Sequence, residues 1–133
     1  MANVTTSSAG NTPFVRLNSD SATNYSGTIL EGNGTAAQSG RRSNNSQGVP
    51  IGGTFVGSST TEPYMLEANF MSYGNSNVYK TVISRYGRAG AETEADVGMW
   101  RSNSAITSME IRNDGGANFN AGSTFTIWGI LCA

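Results

Sequence analysis

The feature that most constrains this fold is a pair of strand-like runs joined by a short polar turn. In the first run, residues 66–73, Leu66, Ala68 and Phe70 alternate with polar residues, which is the period of a half-buried β-strand. Residues 74–77 then supply glycine, asparagine and serine, which tolerate the backbone angles of a tight reversal. The second run, residues 80–86, is rich in β-branched and aromatic residues. The sequence therefore predicts an antiparallel hairpin.

A further strongly patterned run occupies residues 124–131. It is β-branched or aromatic almost throughout, and it becomes apolar towards its end at Ile127, Trp128 and Ile130. A run of this kind is typical of a strand that is covered on both faces. We therefore predict that it lies in the middle of a sheet.

Turn signals divide the rest of the chain into further short strands. The pattern predicts strands at 14–17, 25–31, 49–56, 94–101 and 106–112, a long polar loop at 32–48, a bulge or kink at Gly52 and Gly53, and a turn at 113–116. We identify no segment that is long and periodic enough to predict a helix.

About eight strands at intervals of roughly ten residues predict one all-β domain, a single-domain β-sandwich. A jelly roll is the leading form of that sandwich, and a Greek-key or immunoglobulin-like sandwich is the alternative. Residues 1–13 are small and polar, so we expect an extended N-terminal arm that is flexible or bound to a partner. The jelly-roll-like domain is then expected over 14–133.

Composition argues against several classes of function. Only 13 % of the residues are charged and the net charge is −1, so no basic surface for nucleic acid is expected. The chain has no histidine, which removes the usual general base and the commonest metal ligand. Its single cysteine, Cys132, lacks an imidazole partner, and no apolar run is long enough to span a membrane. The sequence predicts no catalytic residue, cofactor, metal ligand or membrane partner.

The acidic residues leave two alternatives open. Glu92, Glu94 and Asp96 lie within five residues, as in a loop that binds calcium through oxygen ligands, or as in a solvated strand entrance. The second reading is favoured because the alternating pattern and glycine of a calcium loop are missing. Glu67 and Glu110, with Glu94 and Asp96, are the candidates for a glycoside-hydrolysing pair. We expect no such site, because no cleft of aromatic residues accompanies them.

With catalytic, cofactor and metal roles set aside, the role that we consider for individual residues is contact with a partner. The doublet Arg41 and Arg42 lies in the predicted loop, where it is either solvated or faces an acidic partner. Trp100 and Trp128 are either interface anchors, which stack on sugars or proteins, or ordinary core residues. The predicted partner interface comprises Val4, Phe14, Arg41, Arg42, Trp100 and Trp128.

A series of short motifs runs in order through residues 25–130. It comprises Tyr25-Ser26-Gly27 with 32–37 and 39–41, then 69–73 leading to 79–85, then 97–102 with 105–108, and finally 122–130. Taken together, these motifs resemble β-rich virion proteins of tailed bacteriophages, which are found in tails, fibres and heads. The resemblance implies a β-sandwich without catalytic activity.

The resemblance also implies partners and a location. The short region before residue 14 favours a capsid decoration (cement) protein that stabilises the assembled head over a fibre subunit. We then expect the protein to be made in the host cytoplasm and to lie on the head surface of the virion. Its expected partners are the major capsid protein and copies of itself, as a homotrimer. The alternative is a tail or tail-fibre module that recognises a host-surface carbohydrate, for example through the loop at 74–77.

Overall fold

The computed structural model describes residues 2–4, 11–53, 62 and 64–130. Nine β-strands and no helix occur within these ranges. The strands are β1 (Ala2–Val4), β2 (Pro13–Leu17), β3 (Tyr25–Gly32), β4 (Ala37–Asn45), β5 (Val49–Pro50), β6 (Tyr64–Phe70), β7 (Lys80–Arg88), β8 (Glu92–Trp100) and β9 (Met109–Asn113).

The strands form two antiparallel sheets. Six of them make one sheet in the order β1-β6-β7-β8-β3-β4, and three make the other in the order β5-β2-β9. Side chains of both sheets share one core, which is built from Val15, Leu17, Tyr25, Val49, Ile51, Val82 and Trp100. The predicted all-β sandwich is therefore confirmed, and its jelly-roll connectivity stays a prediction.

The predicted central hairpin is confirmed as strands β6 and β7. Leu66 pairs with Tyr86, and Phe70 pairs with Val82. Along β7 every second side chain is buried, whereas Ile83 faces outwards. The side chains of β7 therefore alternate between the core and the outer face as the pleat requires, although polar residues occur on its inner face and an isoleucine on its outer face. Strands β2, β3 and β8 also lie where they are predicted.

The polar loop predicted at 32–48 is wrong. Its residues 37–45 form β4, which pairs with β3 along almost its whole length. Asn33 supports the preceding turn, because its side-chain oxygen accepts hydrogen bonds from the backbone amides of Thr35 and Ala36 at 3.0 and 2.9 Å. Since β4 is an edge strand whose side chains are largely exposed, it needs no apolar residues, and hydrophobic periodicity gives no signal for it.

The central strand predicted at 124–131 is also wrong. Residues 125–130 belong to no strand, and Ile127, Trp128 and Ile130 are 77, 81 and 75 % exposed. The middle of the larger sheet is occupied by β7 and β8 instead. The apolar run therefore remains at the surface, because the sheet positions that would cover both of its faces are filled by other strands. Leu131 lies outside the described residues.

Two facing glycines allow β5 to cross close above the larger sheet. Gly27 in β3 pairs with Gly98 in β8. A Cβ atom on Gly27 would collide with the ring of Pro50, and one on Gly98 would collide with the side chain of Val49. The strand predicted at 49–56 is thus reduced to Val49–Pro50, with residues 54–56 outside the described part of the chain.

Gly52 and Gly53, predicted as a bulge or kink, serve a similar close approach. A side chain on Gly52 would meet the ring of Tyr86, and one on Gly53 would meet the carboxyl group of Glu94. The chain after β5 therefore lies directly against the inner face of the six-stranded sheet.

The beginning of the chain contributes to both sheets. Strand β1 adds to the larger sheet beside β6, where Val4 pairs with Tyr64. Asn11 and Thr12 are buried, and the backbone amide of Thr12 donates to the carboxylate of Asp114 at 2.8 Å. An arm over residues 1–13 stays a prediction, since residues 5–10 lie outside the described ranges.

A buried lysine fastens two loops at one end of the sandwich. The ammonium group of Lys80 donates hydrogen bonds to the backbone carbonyls of Asn75, Val78 and Asn103. Its side chain is fully buried, so these three oxygens replace its water shell. The loop between β6 and β7 is thereby tied to the loop that follows β8.

Candidate functional site

The structure does not bring the predicted interface residues together. Val4 lies in β1 and the arginine doublet lies in β4, which are the two opposite edges of the larger sheet. Phe14 and Trp100 are buried in the interior, so their side chains serve packing. Trp128 is exposed in the segment that follows residue 124. The six residues therefore define no single surface.

The two arginines of the doublet point to opposite faces of β4. Arg42 turns inwards, where its guanidinium lies 5.5 Å from the ring centre of Phe14 and donates to the hydroxyl of Thr12 at 3.1 Å. Arg41 is exposed on the outer face of the sheet. Because side chains alternate along a strand, the two guanidinium groups lie on opposite sides of the sheet, and contact of the doublet with an acidic partner stays a prediction.

The two tryptophans also have different environments. Trp100 stacks with Tyr25 at 6.4 Å between ring centres, and its indole N–H donates to the carboxylate of Asp20 at 2.7 Å. Burial would raise the pKa of Asp20, but hydrogen bonds from Asn24, Trp100 and a backbone amide hold it below its usual value. Trp100 is thus a core residue, whereas Trp128 is the residue available for contacts.

The run at residues 125–130 is exposed and largely apolar, and we call it the apolar segment. It contains Phe125, Ile127, Trp128 and Ile130, and it carries no charge. Phe125 meets Phe119 edge to face at 5.0 Å. The hydroxyl of Tyr73 donates to the carbonyl of Ile130 at 3.3 Å. Exposed apolar runs of this kind mark sites of protein association.

A second feature is a set of acidic residues on the inner face of the larger sheet, which we call the buried acidic row. It comprises Glu31 in β3 and Glu92, Glu94 and Asp96 in β8. Glu94 and Asp96 are only 3 and 1 % exposed, and Glu31 pairs directly with Glu94. The predicted solvated strand entrance is therefore wrong, because alternation turns these side chains towards the core.

Burial dominates the electrostatics of this row. It raises the pKa of Glu94 to about 8, with the charges of Asp96, Glu31 and Glu92 adding to the effect. The pKa of Asp96 is raised to about 6 by burial, against a hydrogen bond from Ser84 at 3.2 Å and the charge of Arg42. Within the part of the chain that the structure describes, one carboxylate oxygen each of Glu92, Glu94 and Asp96 is buried without a hydrogen-bond partner.

The acidic residues do not assemble a metal site among the described residues. No group of three or more possible ligands there has a geometry that could hold a metal ion. Glu67 and Glu110 are exposed and form ion pairs with Arg85 at 3.5 Å and Arg16 at 3.9 Å. Glu67 lies on the opposite face of the sheet from the buried row, so the four acids share no cleft.

A concave site lies on the outer face of the larger sheet, and we call it the outer groove. It is shallow and open to solvent, with a volume of about 580 Å³, and strands β3, β4, β7 and β8 contribute to it. The lining side chains that matter chemically are Ser26, Thr28, Arg41, Ser43, Asn44, Thr81, Val97, Met99 and Arg101. Of these residues, only Arg41 is a predicted site residue, because the others share no motif and meet only through strand register.

Comparison with known proteins identifies no relative. No protein-family model, curated protein or solved structure matches the chain. Over the described ranges, the structure contains no helix with the length and apolar character needed to cross a membrane. The case for function therefore rests on the apolar segment and the outer groove.

Proposed function

We propose that this protein is a non-enzymatic structural protein of a bacteriophage virion, a capsid decoration or cement protein that binds and stabilises the assembled head. The observation that carries the proposal is the apolar segment. Three of its side chains, Ile127, Trp128 and Ile130, keep at least three quarters of their surface exposed. The resemblance of the ordered motifs to phage virion proteins supplies the biological setting.

The physical advantage of association follows from these side chains. Covering a large apolar side chain contributes about 1.5–3 kcal/mol relative to leaving it in water. A segment with no charge can enter a contact without desolvating ions. A protein that binds only the assembled shell then shifts the equilibrium away from dissociation.

The proposed partners are the major capsid protein and two further copies of this chain. A homotrimer would place three apolar segments around one axis, so that a single contact is repeated three times. In the proposal the sandwich is of jelly-roll type, the N-terminal arm contacts the shell, and no cofactor, nucleic acid or membrane takes part. The protein lies on the head surface.

The copy number in purified particles tests this proposal. A decoration protein is expected in numbers of the same order as the major shell protein. Trp128→Ser is expected to lower its occupancy on heads strongly, because it removes the most exposed apolar side chain of the segment. Met65→Ser is the matched control, since Met65 is an exposed apolar residue outside the segment. Absence from particles, or equal occupancy of both variants, would contradict the proposal.

A second candidate function is a tail or tail-fibre module that recognises a carbohydrate of the host surface. The outer groove favours it, because this shallow depression on a sheet face is lined by hydroxyl groups and two arginines that can hydrogen-bond a carbohydrate. A copy number far below that of the shell protein would support this alternative over head decoration.

A further inference from the structure

We propose that the outer groove binds an acidic saccharide, a sugar chain that bears carboxylate or sulfate groups. The inference deepens the second candidate function, on which it rests for its biological role, by naming the ligand class and the residues that bind it. The binding itself is a property of the isolated domain.

A local irregularity of β4 shapes the groove. Tyr25 pairs with Asn45 and Gly27 pairs with Arg42, so β4 contains one more residue than β3 between these two pairs. Such a bulge bends the strand and re-aims the side chains beside it. Asn44, in the bulge, has a positive φ of 52°, a conformation that asparagine adopts more readily than most residues. The bulge therefore lies at the edge of the groove, beside β3, with β8 on the far side of β3.

The groove carries positive charge that the described protein does not neutralise. Arg101 donates to the carbonyl of Thr23 at 2.6 Å and to the side-chain oxygen of Asn44 at 3.0 Å, neither of which is a carboxylate. Arg41 forms no ion pair within the described ranges, and no acidic residue lines the groove. The chain as a whole has a net charge of −1, so this cationic site is local.

The two arginines suit an oxyanion by geometry as well as charge. A guanidinium presents paired N–H donors that match carboxylate or sulfate oxygens. Arg101 is already held in place by Thr23 and Asn44, so less side-chain entropy is lost when a ligand binds. The acidic residues of β8 point to the inner face and are buried there, which leaves the outer face of that strand without carboxylates.

The rest of the lining distinguishes a saccharide from other anions. Hydroxyl groups of Ser26, Thr28, Ser43 and Thr81 can exchange hydrogen bonds with sugar hydroxyls. Val97, whose side chain is exposed, provides an apolar floor for the C–H face of a sugar ring. A nucleic acid would be expected to use a longer basic track and aromatic stacking platforms. The groove lining contains no aromatic residue.

Titration of the purified chain tests the inference. The probes are 3′-sialyllactose and a chondroitin sulfate tetrasaccharide, with lactose as the neutral comparison and inorganic phosphate and a thymidine hexanucleotide as competing anions. We expect both acidic saccharides to bind and lactose to bind far more weakly. Because ionic contacts are screened, the affinity should fall as sodium chloride is raised.

Matched variants locate the site. Arg41→Gln removes an exposed guanidinium from the groove, and we expect it to weaken binding by roughly five- to tenfold. Arg101→Gln should do the same. Arg85→Gln is the control, since Arg85 is an exposed arginine of β7 that lies outside the groove lining. The affinity of Arg85→Gln for the acidic saccharides should stay within about twofold of the wild-type value, as expected when only a surface ion pair is lost. Thermal unfolding of each variant verifies that the fold is retained.

The outcomes separate this inference from the proposed function. Equal binding of lactose, tighter binding of the hexanucleotide or of phosphate alone, or unchanged affinity of Arg41→Gln would overturn the saccharide site. None of these results bears on head decoration, which the copy number decides. Conversely, a head-like copy number would leave a measured saccharide affinity intact.

Discussion

Glu94 is expected to make the stability of this protein fall as the pH rises. Burial first, and then the charges of Asp96, Glu31 and Glu92, raise the pKa of Glu94 from 4.5 to about 8. Between these two values the folded state holds a proton that the unfolded state has released. Stability from this group is therefore fully present below about pH 4.5 and is lost as the pH rises through 8.

The size of the effect follows from the difference between the two pKa values. A difference of about 3.5 units corresponds to roughly 5 kcal/mol at 1.36 kcal/mol per unit. Asp96 is expected to lower the free energy of unfolding by a further amount of about 3 kcal/mol, in a lower pH range between 3.8 and about 6. Domains are commonly stable by only about 5–15 kcal/mol, so the effect of Glu94 is measurable by denaturation.

The test is Glu94→Gln, which replaces the carboxyl group with a neutral group of the same shape. The free energy of unfolding is measured in urea at pH 5 and at pH 8.5. At pH 5 the wild type and the Glu94→Gln variant should have similar free energies of unfolding. At pH 8.5 the variant should be more stable by a few kcal/mol. The chain has no histidine, so no imidazole titrates in this interval. Glu67→Gln, an exposed counterpart in β6, is the control and should keep the wild-type slope. A wild-type stability that does not fall with pH, or a Glu94→Gln slope equal to that of wild type, would refute the reasoning.

Three further substitutions probe single packing features by chemical denaturation. Gly98→Val should lower the free energy of unfolding by about 1–3 kcal/mol, because the new side chain collides with Val49. Gly74→Val, where the new side chain enters open space, should lower it much less. Equal effects of the two variants would contradict the close approach of β5. Lys80→Met should cost about 2 kcal/mol or more, since three carbonyl oxygens lose their donor, and a neutral result would contradict that role. Asn18→Ala should lower the free energy of unfolding by about 2 kcal/mol, because the Asn18 side-chain oxygen accepts hydrogen bonds from the backbone amides of residues 107 and 108. An unchanged denaturation midpoint would show that water takes the place of this oxygen.

The sequence could predict those elements whose signal is local. Strand β6 alternates apolar and polar residues from Leu66 to Phe70, β7 is rich in β-branched and aromatic residues, and glycine and asparagine mark the turn between them. Strands β2, β3 and β8 are short runs that turn residues separate from their neighbours. Residue type, turn signals and, for β6, periodicity test whether a segment can form a strand, and these segments can. The all-β class followed from such segments without any knowledge of their partners.

The candidate sites were only partly predictable for the same reason. Arg41 was singled out, but the groove around it forms because residues of four strands come into register. Arg101 and Asn44 are far apart in sequence and meet through a hydrogen bond of 3.0 Å. The sequence does not distinguish core from interface for Trp128, because the exposure of its side chain depends on residues distant in sequence.

By itself, the sequence determined the strand periodicity, the turns and the absence of histidine chemistry. Only the tertiary structure decided which faces are covered. The polar residues of β4 form a strand because β3 offers them a backbone partner at the sheet edge. The apolar run at 125–130 stays exposed because β7 and β8 already fill the middle of the sheet. The carboxyl group of Glu94 is buried because Gly53 lies against it. Each of these three outcomes depends on contacts between residues distant in sequence, and local sequence patterns do not predict such contacts.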